Sequence, residues 1–144
     1  MARQLLALPA FKGKRVVDFG EWAGRKRMEV SEELLSGIDI AFFSGDGGTI
    51  AKLQPFAERV DSLIVVTLGA AGSVALTPHG SITVPAVPVD HPLDTTGCGD
   101  SFQAAFTVSY YRDKDIAKAL SRGAQQAAQV LQHYGSFRQE PVYD

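Results

Sequence analysis

The chain has 144 residues, 45% of them hydrophobic, which is enough for one domain with a real core or for part of a larger one. Its formal charge of −2 argues against a general nucleic-acid-binding protein, and the basic clusters at 12–15 and 25–27 lack interleaved aromatic side chains, so we interpret both as solvated surface. The single cysteine, Cys98, excludes an internal disulfide, and no apolar run approaches ~18 residues, so we expect a soluble cytoplasmic protein that binds neither nucleic acid nor membrane.

Apolar periodicity divides the chain into alternating strands and helices. Ser31 is a candidate N-cap of the first helix, and Pro55 inside the second predicts a kink or two short helical pieces. The β-branched run at 62–69 is typical of a strand buried on both faces of a parallel sheet. In chain order we predict a strand at 14–20, a helix at 31–37, a strand at 38–44, a helix at 49–60, a strand at 62–69, a hairpin over 72–87, and helices at 97–111 and 115–133.

This alternation predicts an α/β layered fold with a mainly parallel sheet built from right-handed βαβ units. No linker divides the sequence, so we predict one domain over residues 1–144. We interpret residues 1–11 as the end of a helix that leads into the first strand, and 136–144 as a loosely held tail. The large aromatic residues are interpreted as packing residues rather than ligand contacts: Trp22, Phe42, Phe43, Tyr110 and Tyr111.

Residues 94–100, with the sequence Asp-Thr-Thr-Gly-Cys-Gly-Asp, carry the first candidate site. If a helix begins within 97–100, its first N–H groups have no intrahelical partner, and with the positive end of the helix dipole they form a site for phosphate or a developing oxyanion. Asp100 beside such a site is suited to act as a general base for an attacking hydroxyl. The alternative is a tight loop in which Asp100 only caps the helix, and the spacing alone leaves both interpretations open.

A second glycine segment, Thr-Leu-Gly-Ala-Ala-Gly-Ser at 67–73, follows the most β-branched strand. Ligands of open α/β sheets bind at the carboxyl ends of strands, where Gly69 and Gly72 would let a ligand approach the backbone. The alternative here is a plain turn between a strand and a hairpin.

The two segments together resemble a known family. The stretch 62–137 resembles the C-terminal half of the ribokinase-like (PfkB) carbohydrate kinases, whose signature Asp-Thr-x-Gly-Ala-Gly-Asp matches residues 94–100. The ending "QVLQHYGSF" is similar to that of fructosamine-type kinases within this family. The resemblance implies a three-layer α/β/α fold, of which this chain would be the nucleotide-binding half, and ATP-dependent phosphorylation of a sugar hydroxyl.

The resemblance also implies roles for individual residues. Asp100 would be the catalytic base, with Gly97, Cys98 and Gly99 forming the anion hole. Asp94 would help to bind a monovalent cation such as K⁺, with backbone near Val130 and His133. The residues lining the ATP site would be Thr67, Gly69, Gly72 and Ala124.

The sequence departs from the family pattern in three ways. Cys98 replaces the usual alanine, and a thiol at a helix N-terminus is expected to have a lowered pKa and to oxidise readily. The segment after 38–44 lacks the family's Asn-x-x-Glu motif for Mg²⁺ and phosphate, and we do not transfer that role to Asp46. Family members run about twice this length, so by the resemblance this chain lacks most of the substrate-binding half, either as a fragment of a longer gene product or as a truncated homologue. An apolar face left exposed by the missing half would favour self-association.

Three hypotheses follow from these residues. The first is an ATP-dependent carbohydrate kinase that uses ATP and Mg²⁺ on a small-molecule sugar. The second is a nucleotide-binding or partner-binding module without catalysis. The third is a thiol enzyme with Cys98 as nucleophile, which is disfavoured because no spacing brings a histidine to it. The histidines also lack metal-ligand spacing, so we predict no structural zinc.

Overall fold

The computed structural model describes residues 12–21 and 30–135, which form two compact units. The first unit contains the described residues up to Leu68 together with 74–82, and the second contains 69–73 and 83–135. The single-domain interpretation of 1–144 stays a prediction. The predictions that lie outside the described residues concern 1–11, Trp22, the basic cluster 25–27 and the tail 136–144.

A five-stranded sheet runs in the order of its strands along the chain: β1 (Val16–Glu21), β2 (Ile40–Ser44), β3 (Leu63–Thr67), β4 (Ser73–Thr77) and β5 (Gly80–Val84). Neighbours among β1, β2 and β3 are parallel, with Ile40 opposite both Val16 and Leu63. Only Pro78 and His79 connect β4 to β5, and paired strands joined by so short a loop form an antiparallel hairpin. The sheet is therefore mixed but mainly parallel, which confirms the predicted α/β fold class.

Two helices connect the parallel strands, α1 (Glu32–Ser36) and α2 (Gly47–Ala57). Ser31 is the N-cap of α1, as predicted, and its Oγ accepts from the Leu34 amide at 3.2 Å. Of the two outcomes expected around Pro55, two helical pieces are wrong, because α2 is one helix with Pro55 in its last turn, and the kink stays a prediction. A proline there removes only a hydrogen bond at the fraying end of the helix.

The core of the first unit lies between the sheet and these helices. Phe43, Ile64 and Leu53 belong to one buried cluster, and Phe19 stacks on Phe43 with ring centroids 4.7 Å apart. Phe42, on the opposite face of β2, is also buried. Residues 63–66 of β3 are all buried, so this strand is buried on both faces, as the β-branched composition of 62–69 predicted. Phe42 and Phe43 are confirmed as packing residues.

The second unit contains a helical hairpin of α3 (Cys98–Asp113) and α4 (Ile116–Val130). Lys114 ends α3 with a left-handed φ of 57°, and Asp115 caps α4 by accepting from the Lys118 amide at 2.9 Å. A Cβ atom on Gly123 would lie 2.7 Å from ring atoms of Phe102, so the helices approach closely where α4 has no side chain. Within the described ranges, no helix is long and apolar enough to cross a membrane.

Candidate active site

A tight turn precedes α3 and forms part of residues 94–100, which we call the anion loop. The Cys98 amide donates to the Thr95 carbonyl at 3.2 Å, and Gly97 has φ 79° and ψ 1°. These angles are those of the third residue of a type II turn, which needs a positive φ and therefore favours glycine. The helix then begins at Cys98, within the range that the sequence predicted.

The start of α3 exposes backbone donors. No side chain caps this helix, and the first intrahelical bond runs from the Ser101 amide to the Gly97 carbonyl at 2.9 Å. The amides of Gly97, Gly99 and Asp100 donate no hydrogen bond to any described residue. Unpaired amides at the positive end of a helix dipole favour an anion.

The predicted anion hole differs from this set by one residue. Gly97 and Gly99 have free amides, whereas the Cys98 amide is used within the turn, and the amide of Asp100 is free in its place. A Cβ atom on Gly99 would meet nothing within 4 Å, so a ligand can approach this backbone from open space. The role of all three predicted residues as an anion hole stays a prediction.

Asp100 is exposed in the first turn of α3. Its carboxylate makes no hydrogen bond and no ion pair within the described part of the chain. No capping hydrogen bond to Asp100 forms within the described residues, but an acid in the first turn also stabilises the positive end of the helix dipole, so both interpretations of Asp100 stay predictions. An exposed carboxylate without a partner is available to a substrate hydroxyl, as a general base requires.

Asp94, the predicted cation ligand, is bound by backbone amides. Its Oδ1 accepts from Thr96 at 2.9 Å and its Oδ2 from Gly135 at 3.0 Å. These donors, Thr96 first, hold the pKa of the Asp94 carboxyl below its usual value. Both oxygens thus face N–H hydrogens, which compete with a cation, and the Val130 carbonyl accepts from the His133 amide at 3.3 Å. The cation site stays a prediction.

The surroundings of Cys98 differ from those expected for a reactive thiol. Its Sγ donates to the Ala127 carbonyl of α4 at 3.4 Å, and the side chain is partly buried. Burial first, and then the negative charge of Asp94, raise the pKa of this thiol. The expected lowering by the helix N-terminus is therefore wrong, and a thiol that stays protonated is poorly suited to the nucleophile of the third hypothesis.

The predicted nucleotide-binding residues have different surroundings. Thr67 ends β3, and its Oγ1 lies 3.0 Å from Ser44 Oγ and donates to the Phe43 carbonyl at 3.3 Å. Gly69 has φ 58° with open space where a Cβ would be, and it begins a short 3-10 turn, Gly69–Ala71. Ala124 lies on α4, 8% exposed. Their contact with a nucleotide stays a prediction.

Gly72 is needed for packing. With φ 103°, a Cβ atom at this position would lie 2.2 Å from the Val84 carbonyl oxygen and 2.7 Å from Pro85 Cα. The absent side chain therefore makes room for the backbone at 84–86, and the contact of Gly72 with a nucleotide stays a prediction.

Mg²⁺ ligands are not evident in the described residues, which contain no group of three or more His, Cys, Asp or Glu side chains able to hold a metal ion. Asp46, the acid nearest to the missing Asn-x-x-Glu motif, is the N-cap of α2. Its Oδ1 accepts from the Thr49 amide at 3.0 Å. Asp46 therefore has a structural role at the start of α2.

Sequence reasoning missed the hydrogen bond between Asp94 and Gly135. It joins residues 41 positions apart, and no local pattern indicates such a contact.

An α/β fold with an uncapped, glycine-rich helix start is typical of proteins that bind phosphate groups. The family model described as pfkB family carbohydrate kinase matches residues 24–141. This chain therefore belongs to the pfkB carbohydrate kinase family, and the resemblance seen in the sequence is confirmed.

Relatives in this family differ in substrate. The cytidine kinase of Thermococcus kodakarensis is 31% identical over 93% of this chain and 53% of its own length. The fructoselysine 6-kinase of Shigella flexneri is 29% identical over 74% of this chain and 41% of its own length. Fructosamine-type kinases are thus among the relatives, as the sequence suggested, together with nucleoside kinases.

The solved structures agree with the fold. The nucleoside kinase of Methanocaldococcus jannaschii, an archaeal member of the ribokinase family, superposes with a TM-score of 0.67 at 27% identity. The match covers 84% of this chain and 43% of that protein. The ribokinase-like fold is confirmed, and the chain spans about half or less of the length of these relatives.

Proposed function

We propose that this chain provides the nucleotide-binding half of an enzyme that phosphorylates a hydroxyl of a sugar or sugar derivative with ATP. The observation that carries the proposal is the first turn of α3, where the free amides of Gly97, Gly99 and Asp100 accompany the unpaired Asp100 carboxylate. Family membership and the kinase activities of the relatives support the reaction class.

The chemistry is an in-line phosphoryl transfer. The acceptor oxygen attacks the γ-phosphorus, the bond from that phosphorus to the ADP oxygen breaks, and Asp100 takes the hydroxyl proton. The amides of the anion loop and the dipole of α3 stabilise the charge on the transferred phosphoryl oxygens. Gly99 lets those oxygens reach the amides because it has no side chain.

The predicted nucleotide-binding residues are part of the proposal. Thr67 and Gly69 would contact ATP, Gly72 would support the site by admitting the 84–86 backbone, and Ala124 would lie near the adenine. Mg²⁺ would enter as part of the ATP complex, supplying charge neutralisation on the phosphates.

The cellular setting and the partners follow from the same proposal. The acceptor is a small molecule, and a reducing cytoplasm suits a chain whose cysteine is free. Self-association stays a prediction that light scattering of the purified chain would test.

Gly99→Ala tests whether the free amides in the first turn of α3 bind phosphate. The added methyl group meets no atom of the chain within 4 Å, so the fold is kept, and helix stability should rise by up to about 1 kcal/mol. The same methyl group would obstruct a phosphate at the amides, so we expect ATP affinity in calorimetry to fall at least about tenfold, as for loss of a hydrogen bond to a charged group.

Gly47→Ala is the matched control, because Gly47 begins α2 and its Cβ would also meet nothing within 4 Å. This variant should bind ATP like the wild type. Equal ATP affinity in Gly99→Ala and the wild type would contradict the proposed site.

A second candidate is a nucleotide-binding or partner-binding module without catalysis. It is favoured by the coverage of only 53% and 41% of two kinase relatives. Both candidates predict ATP binding, but only the first predicts ADP formation that depends on an acceptor and is lost in Asp100→Asn. Measuring ADP release with cytidine and fructoselysine as trial acceptors separates the two.

A further inference from the structure

We propose that Asp94 is a positioning residue that fastens the anion loop to the turn after α4. The proposal rests on the proposed function and deepens it. It assigns to Asp94 the task of holding the amides of the loop in place, with no direct contact to the phosphoryl group.

The carboxylate of Asp94 joins two distant segments. Its Oδ1 accepts from the amide of Thr96, two residues along the loop, at 2.9 Å. Its Oδ2 accepts from the amide of Gly135, 41 residues away, at 3.0 Å. Hydrogen bonds to a carboxylate are stronger than those between neutral groups, so this side chain can hold both segments together.

Two further hydrogen bonds connect the same two regions. The Leu93 amide donates to the Leu131 carbonyl at 2.8 Å, and Cys98 Sγ donates to the Ala127 carbonyl at 3.4 Å. The loop is thus attached to the end of α4 before, at and after Asp94. Only the Asp94 contact uses a charged group, and it is the one that also orders the loop internally.

The internal hydrogen bond acts directly on the anion site. Thr96 and Gly97 are the two central residues of the turn that the Thr95 carbonyl and Cys98 amide close, so fixing the Thr96 amide restricts that turn. Gly97 is the N-cap of α3, and its orientation sets the direction of the free amides. A loop already ordered before binding loses less conformational entropy when the anion arrives.

Gly135 supplies its amide from an unusual conformation. Its φ of 77° lies in the left-handed region, which glycine adopts without strain. The turn after α4 thereby presents an N–H group to Asp94 where a helix would have continued.

The two possible roles of Asp94 make different predictions. If Asp94 were a cation ligand, its substitution would weaken ATP binding only when K⁺ is present. If Asp94 is a positioning residue, its substitution weakens ATP binding in any salt. The test therefore compares variants in KCl and in N-methylglucamine chloride, whose cation is too large for a K⁺ site.

Asp94→Asn is the main variant, because the amide group keeps the size but turns a donor toward one of the two N–H groups. Asp94→Glu keeps the charge and moves both acceptors by one methylene. Asp90→Asn is the matched control: Asp90 is exposed in the preceding segment and has no hydrogen bond or ion pair with described residues.

The first readout needs no ligand. Amide hydrogen exchange at Thr96 and Gly135 should become at least about tenfold faster in Asp94→Asn and Asp94→Glu than in wild type and Asp90→Asn. The second readout is ATP affinity by calorimetry, which should fall about tenfold or more in both Asp94 variants and in both salts.

Unchanged amide exchange would overturn the proposal, whatever happens to ATP binding. Faster exchange with unchanged affinity would also overturn it, as would a loss of affinity confined to KCl. A wild-type chain that binds no ATP would instead contradict the proposed function, so the two failures are distinguishable.

Discussion

At the scale of single residues, three glycines of the candidate site are required for three different physical reasons. Gly97 supplies a φ of 79° to a turn, and Gly99 leaves open space in front of free amides. Gly72 admits the Val84 carbonyl at a distance that no Cβ would tolerate. Substitutions at the three positions should therefore fail in different ways, although all are glycines beside a predicted ligand.

Gly123→Ala should destabilise the second unit. The new methyl group would lie 2.7 Å from ring atoms of Phe102, which is 5% exposed and has little room to move. Overpacking of this kind lowers the free energy of unfolding by about 1–3 kcal/mol. The higher helix propensity of alanine offsets up to about 1 kcal/mol of this loss. Urea unfolding should show a lower midpoint than in Gly47→Ala, and an equal or higher midpoint would contradict the close approach of α3 and α4.

Cys98 should react slowly and only at high pH. Burial, reinforced by the charge of Asp94, raises the pKa of the thiol, so the reactive thiolate forms above the usual range of about 8.5. Alkylation by iodoacetamide, followed across about pH 7 to 10, should have a midpoint above that of the same chain unfolded in urea. A midpoint below the unfolded value would restore the thiol hypothesis.

At the scale of elements, α3 differs from the other described helices at its N-terminus. Ser31, Asp46 and Asp115 cap the other three through their side chains, whereas Gly97 offers α3 no side-chain acceptor. An uncapped helix start is less stable than a capped one by about 0.5–2 kcal/mol. The one described α-helix that lacks this stabilisation is therefore the one whose free amides belong to the anion loop.

Asp39 connects the beginnings of β1 and β2. Its carboxylate accepts from Lys14 Nζ at 2.9 Å and from the Arg15 amide at 2.8 Å. Partial burial raises the pKa of Asp39, but the Arg15 amide and the Lys14 ammonium outweigh it and leave the pKa below its usual value.

The pH dependence follows from this lowered pKa. The charged carboxylate stabilises the folded chain above the unfolded pKa of about 4, and the contribution is lost as pH falls through the lower folded pKa. Asp39→Asn should therefore be less stable than wild type near neutral pH, with the difference shrinking below about pH 4. Urea unfolding from about pH 7 to 3 checks this, with exposed Asp61→Asn as control; a difference independent of pH would contradict it.

The elements could be predicted because their signals are local. The β-branched run of β3, the cap at Ser31 and the glycine-rich start of α3 place elements within a few residues of their observed bounds. The contacts that define the site could not be predicted in the same way. The Asp94–Gly135 and Cys98–Ala127 hydrogen bonds join residues far apart in sequence, and the burial that raises the Cys98 pKa arises only on folding.

At the scale of the whole molecule, the chain combines a specific family signature with partial coverage of its relatives. The pfkB match spans 24–141, yet the nucleoside kinase from Methanocaldococcus jannaschii is covered over only 43% of its length. The residues assigned to ATP and phosphoryl transfer lie on this chain. Nucleotide binding is therefore the activity that the chain itself should show most directly.

The most direct test of the central claim is calorimetric titration of ATP into the wild-type chain and into Asp100→Asn. Because the proposal assigns the proton transfer to Asp100 and phosphate binding to the backbone amides, we predict saturable binding in both, with acceptor-dependent ADP formation absent from the variant. No binding by a folded wild-type chain would contradict the claim that the anion loop is a nucleotide site.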